Sequence, residues 1–291
     1  MDSKNFIVST ESTCDLSDAY LRERDIHTIK MEYVVDGEVF GGNTGRELDY
    51  KTFYDKMRKG SKTSTSMVNE ESARAFFNKL LGLGKDILHI AFARECSGTY
   101  DCLVRVAKEL NEKSPNKIYV LDSRCESTGE GLLVELTANA RDAGKTMPET
   151  VKEMEKLRGK LNLLFTVDNL KYLSAGGRIS KSTAIIGNIA KIKPLLYVDH
   201  SGKLTMGGKA LGRKLSLMKL VSMTAEKFSG EYKKIFVSHA DCIDDANFVK
   251  EKILSHVPEA EVVLENIGTV IGSHSGPGTI AIFFIGKERA F

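Results

Sequence analysis

The stretch Ile87-Leu88-His89-Ile90-Ala91-Phe92-Ala93-Arg94-Glu95-Cys96-Ser97-Gly98-Thr99-Tyr100, with its sequel Ile118-Tyr119-Val120-Leu121-Asp122-Ser123-Arg124-Cys125-Glu126-Ser127-Thr128-Gly129, decides the fold class. In each half a short apolar run, 87–92 or 118–121, ends in a loop of small and polar residues, and a helix-forming segment follows, 99–112 or 129–143. Runs this short, bounded by turn formers, suit strands covered on both faces. Strand, loop, helix repeated in this way is a βαβ rhythm, with parallel strands and helices packed on both faces of the sheet.

Working toward the N-terminus, residues 5–9 read as a strand, 15–24 as a helix and 27–35 as one alternating strand, with Asp36-Gly37 as a turn. A helix is expected over 49–59, a polar loop over 62–68 and a helix over 69–81. Toward the C-terminus, Thr146, Pro148 and Glu149 form a capping box that opens a helix ending near Gly159. Beyond it the rhythm changes. Strands are expected at 162–167, 192–199 and 203–207, the last two joined at His200-Ser201-Gly202. Further strands at 234–238, 261–266 and 279–285 are separated by helices near 212–228 and 244–256. The change of rhythm places a domain boundary near Gly159.

Composition narrows the function classes. The chain has 291 residues, with 42 Lys+Arg against 39 Asp+Glu, and the charge is spread evenly, which offers nothing to nucleic acid. No stretch approaches the ~20 apolar residues of a bilayer crossing, and the N-terminus lacks a charged-then-apolar signal, so a cytoplasmic protein is expected. Five scattered cysteines and six dispersed histidines form no metal-ligand spacing; free thiols and no metal are expected.

Polar groups at strand ends and helix starts are the candidate site residues, because open parallel sheets bind ligands beyond the C-terminal ends of their strands. Ser97, Gly98 and Thr99 combine hydroxyls with free backbone N–H groups at a helix start, a corner suited to an anion; the alternative is an ordinary N-cap. Thr63, Ser64, Thr65 and Ser66 supply four consecutive hydroxyls, which could equally be a solvated loop. His274 sits in the Gly/Pro-rich run 272–278, read as a rigid turn. Arg178, after Gly176-Gly177, could reach an anion with its fork of donors or only brace a helix end. A hydrolase using Ser97, His274 and Asp122 is a rival reading, but Glu95 and Thr99 occupy the positions where a Gly-x-Ser-x-Gly elbow needs glycine. Cys96 as a nucleophile with His274 is a further rival, as is a carrier of a different small apolar ligand.

Taken jointly, Thr63-Ser64, Ser97-Gly98-Thr99-Tyr100, Gly176-Gly177-Arg178-Ile179-Ser180 and His274-Ser275-Gly276-Pro277-Gly278 resemble the DegV family across essentially the whole chain. Asp122-Ser123, Gly129-Glu130-Gly131 and Ile192-Lys193-Pro194 support the match. The resemblance implies a two-domain α/β fold: an N-terminal parallel α/β/α domain, residues 1–160, and a C-terminal α/β domain, 161–291, with a mixed or antiparallel sheet. It also implies a non-enzymatic carrier without cofactor, whose ligand is a long-chain fatty acid such as palmitate, stearate or oleate. Thr63, Ser97 and His274 match the positions that hold the carboxylate, with Ser64, Gly98 and Thr99 as neighbours and Arg178 and Arg213 as basic residues near the mouth. A separate fatty acid kinase, feeding phospholipid synthesis, is the implied partner. Family members usually have Ser-Ser-Gly-Leu where this chain has Ala93-Arg94-Glu95-Cys96, and Gln-Pro where it has Thr65-Ser66.

Overall fold

The computed structural model describes residues 5–180 and 191–289. Its first sheet is parallel throughout, in the order β2-β1-β6-β7, built from β1 (Phe6–Glu11), β2 (Ile26–Ile29), β6 (Asp86–Ala91) and β7 (Ile118–Asp122). Helices α1 (Asp18–Glu23), α3 (Glu70–Leu81) and α4 (Thr99–Asn111) lie between these strands in sequence, as the βαβ rhythm requires, and α5 (Ser127–Asp142) follows the last of them. A six-stranded mixed sheet follows, in the order β10-β9-β8-β13-β11-β12. Its members are β8 (Leu161–Thr166), β9 (Ile192–Val198), β10 (Leu204–Leu211), β11 (Lys234–His239), β12 (Glu261–Asn266) and β13 (Ile280–Ile285). Only β11 and β12 run parallel; every other pairing is antiparallel. The change from one sheet to the other falls between α6 (Met147–Arg158) and β8. The outer limits at residues 1 and 291 lie outside the described residues.

Two local devices fix elements that the sequence signals. The Thr146 capping box with Glu149 opens α6, the Glu149 carboxylate accepting from Thr146 N at 2.9 Å. At the β9–β10 hairpin, Asp199 Oδ1 accepts from Ser201 N at 2.9 Å and Lys203 N at 3.1 Å, so one side chain organises the turn.

Helix α5 joins the two sheets. It packs against β1 and β6 on one side and against β8, β11 and β13 on the other, and nearly all of its residues are buried. Leu132, Leu133, Val134 and Leu136 supply its apolar surface, and removing a side chain such as Leu133 costs about 2–5 kcal/mol. A β-carbon at Gly129 would collide with Cys125 Sγ and the Phe283 ring, so glycine there permits the close helix–sheet approach. The polar groups on α5 are satisfied by both flanks. Glu130 accepts from Thr10 Oγ1 at 2.7 Å and Thr13 Oγ1 at 2.9 Å, and Thr128 shares a 2.7 Å bond with Ser238. Lys234 reaches Glu135 at 2.6 Å.

Three expectations need correction. Residues 27–35 are two strands in different sheets: the chain leaves the parallel sheet after Ile29, and Glu32–Val35 (β3) enters a small antiparallel sheet. Met31 N donates to Ser12 Oγ at 3.0 Å at the crossover, replacing the ladder bond lost there. The loop at 62–68 contains a strand, Thr63–Thr65 (β5), paired with β3, whose other neighbour is β4 (Glu38–Gly41). The run 272–278 is only partly a turn, because a short helix, Thr269–Ser275 (α10), carries His274 in its last turn and stops at Gly276, where φ is +77°.

Candidate ligand-binding site

A cavity lies between the parallel sheet's loops, the mixed sheet and α10. It encloses about 690 Å³ of space free of protein atoms, its open mouth included. Leu163 and Phe165 from β8, Ala281 and Phe283 from β13, and Ile267 and Ile271 at α10 make its walls apolar. Alternation along β8 and β13 selects those faces, since residues two apart point the same way.

Polar side chains gather at one part of this lining. His274 Nε2 pairs with Thr65 Oγ1 at 2.7 Å, and both residues line the cavity. Burial, and after it the charge of Arg178, pushes His274 down to about 4, so its imidazole is neutral near pH 7. Gly176, at the end of α7 (Lys171–Ala175), makes room for that ring: a β-carbon there would run into Nδ1. Of the glycine pair before Arg178, Gly176 thus has a steric task, whereas Gly177 serves a positive φ of +76°. Ser97 Oγ, also at the cavity, shares a 2.9 Å bond with Thr99 Oγ1 and accepts from Thr99 N at 3.2 Å. Arg178 donates from Nε to Cys96 O at 3.1 Å and from Nη1 to Gly176 O, so it braces two backbones while lining the cavity.

The remaining candidates fall elsewhere. Thr63 is not in the lining; its hydroxyl donates to Ser273 O at 3.0 Å and so holds the helix that carries His274. Thr63 and Thr65 share a face of β5, and Thr65 is the one that meets the imidazole. Ser64 points the opposite way and is exposed. Gly98 is exposed, and Thr99 is buried behind Ser97, accepting from Val68 N at 3.2 Å. Arg213 opens α8 (Arg213–Lys227), pairs with Asp245 at 2.8 Å and lies 3.7 Å from Asp168, away from the cavity lining. Four further polar residues line the cavity without having been candidate site residues in the sequence: Glu126, Ser127, Ser275 and Thr279.

The geometry of hydrolysis is not assembled. Ser97 Oγ bonds Thr99, His274 bonds Thr65, and Asp122 Oδ1 accepts from Arg124 N at 2.9 Å, so none of the three addresses another. The Cys96 thiol is pushed well above its ordinary value, by burial first and Glu126 second, the reverse of an activated nucleophile. Among the described residues, no group of His, Cys, Asp or Glu is placed to hold a metal, and no helix is long and apolar enough to cross a membrane.

The family model for DegV, described as an uncharacterised protein family, matches residues 5–287. The chain belongs to the DegV family. A DegV domain-containing protein of Clostridium perfringens is 38% identical over 288 residues, covering 98% of this chain and 99% of that one. Among solved structures, DegV of Bacillus subtilis, described as a fatty acid binding protein, has a TM-score of 0.83 at 26% identity, covering 98% and 100% of the two chains. A DegV family protein from Thermus thermophilus, solved as a study of fatty acid binding, has a TM-score of 0.86 at 23% identity, covering 97% and 99%. The DegV fold is therefore the fold of this chain.

Proposed function

We propose that this protein binds one long-chain fatty acid in the apolar cavity, with the carboxylate received by Thr65, Ser97 and His274 and the tail lying along Leu163, Phe165 and Phe283. The observation that carries the reading is the combination of an apolar slot with hydroxyl and imidazole donors in its wall, Thr65 and His274 paired among them. Burying a dozen or more methylenes at ~0.8 kcal/mol each offers about 10 kcal/mol, while the carboxylate must be met by hydrogen bonds to be tolerated at all. A neutral His274 can donate one, and its proton uptake would strengthen the contact once an anion is present. Arg178 spends two of its five N–H donors on backbone carbonyls and keeps others for the headgroup. Thr63 and Thr99 act behind these groups, holding α10 and Ser97. The binding described for Bacillus subtilis DegV supports the same reading for this family member.

The protein is a carrier, placed in the cytoplasm and working without cofactor, that presents its ligand to a separate fatty acid kinase for phospholipid synthesis. Extraction of the purified native protein followed by mass spectrometry tests the ligand class. Near-stoichiometric long-chain fatty acid is expected. An empty extract, with no uptake of added palmitate or oleate, would overturn the reading. Acyl phosphate formed by a fatty acid kinase and ATP only when this protein is present is the expected result for the partner, and its failure would leave a storage protein.

A further inference from the structure

Among the described residues, Glu126 is the one cavity-lining side chain with a carboxylate, and the fatty-acid reading gives it no task. It is 6% exposed and stands at the N-terminal boundary of α5 without capping the helix. Its Oε1 accepts only the weak thiol donor of Cys96, at 3.1 Å, and its Oε2 is buried with no hydrogen-bond partner. An orphaned carboxylate oxygen in an apolar wall is costly to keep, and a fully alkyl tail lying against it supplies nothing.

The missing partner has to be neutral. A second carboxylate would add like charge whenever Glu126 is ionised, so the ligand headgroup suits only one of its two forms. Arg289 already bears on the carboxylate from the protein side, and a further cation would carry its own desolvation cost into the slot. Glu126 adjoins the headgroup residues through Cys96, from whose thiol it accepts and whose carbonyl accepts from Arg178. Burial pushes Glu126 up to about 7, so both of its forms are accessible near neutrality, and a hydroxyl can donate to one and accept from the other.

We propose that the cavity accepts a long-chain fatty acid bearing a hydroxyl group on its chain, and that Glu126 is the residue that recognises that hydroxyl. The inference rests on the fatty-acid reading and adds a substrate class to it. The test is isothermal titration of the delipidated full chain with stearate and with 3-, 10- and 12-hydroxystearate. At least one hydroxy acid should bind about tenfold or more tighter than stearate, the worth of one buried hydrogen bond to a charged or acidic group. That ratio should fall to about one in Glu126→Leu and persist in Glu126→Gln, which keeps donor and acceptor. Should Glu126→Leu not fold, Glu126→Met takes its place. Stearate binding as tightly as all three hydroxy acids, or a preference that survives loss of the carboxamide or carboxylate, would overturn the inference alone. A wild-type protein that binds none of the four acids would overturn the fatty-acid reading with it.

Discussion

Two hollows adjoin the segment that leads into α10, and they differ in chemistry as well as in size. The cavity of about 690 Å³ touches Ile267 and Ile271, whereas a cleft of about 1430 Å³ touches Gly268, Thr269 and Val270. Tyr54 Oη, donating to Ile267 O at 2.7 Å, pins the segment between them, and Met31 belongs to both walls. The larger hollow is rimmed by Asp15, Asp18, Glu47, Asp49 and Glu265, with Lys30 as its cation. Such a lining repels a carboxylate, although Leu16, Leu21, Leu48 and Val270 also reach it. Volume therefore does not carry the proposal made above; the exclusion of carboxylates by one lining and the pairing of apolar walls with a donor set in the other do.

The largest effect should come from filling the smaller hollow. Ala281→Phe puts a ring into the slot, and displacing even four methylenes at ~0.8 kcal/mol each would weaken fatty-acid binding by about 100-fold or more. Overpacking at this buried position should also cost about 1–3 kcal/mol of stability, and retained affinity in folded protein would mean the tail runs elsewhere. Next in size, Thr65→Val combined with Ser97→Ala removes two donors to a buried carboxylate and should weaken binding by about 10-fold to 100-fold, measured by titration with palmitate. Thr63→Val should cost about threefold or less, because Thr63 supports α10 from behind. A larger loss from Thr63→Val than from Thr65→Val would move the headgroup along β5.

The acidic cleft should declare itself through pH instead of lipid. Burial raises Asp15 from 3.8 to about 7 despite the Ser127 hydroxyl that donates to it. The folded state then holds the proton more tightly than the unfolded chain, so this stability is present below pH ~4 and is lost as pH rises through about 7. Asp15→Asn should flatten that decline by at most a few kcal/mol, read from denaturant midpoints at pH 5 and pH 8. His274 works in the other direction: its depressed value gives stability that is present above pH ~6.5 and lost as pH falls through about 4. The smallest effect is expected from Arg213→Ala. Its ion pairs lie away from the cavity, so palmitate affinity should stay within about twofold, and a tenfold loss would restore it to the mouth.

The sequence makes the sheet architecture legible wherever periodicity and turn chemistry agree, as in the β6–α4–β7–α5 run. It hides the break at Lys30-Met31, because the period-2 pattern of 27–35 continues while the backbone passes from one sheet to another. It hides β5 because three polar residues carry no strand signal, and α10 because glycine-rich composition masks one helical turn. At the site, Ser97, Arg178 and His274 could be picked out from their loops. The choice between Thr63 and Thr65 could not, since residues two apart on a strand share a face and only the packing of α10 decides which one meets the imidazole. Glu126 sits among ordinary helix-start residues, and its distinction, an orphaned oxygen against an apolar wall, exists only in three dimensions.

The most direct test is a crystal structure of the protein loaded with stearate. The account predicts the carboxylate within hydrogen-bonding distance of Ser97, Thr65 and His274, with the tail running past Leu163, Phe165 and Phe283. A carboxylate lodged elsewhere in the cavity, or ligand bound in the acidic cleft with the apolar slot collapsed, would contradict it.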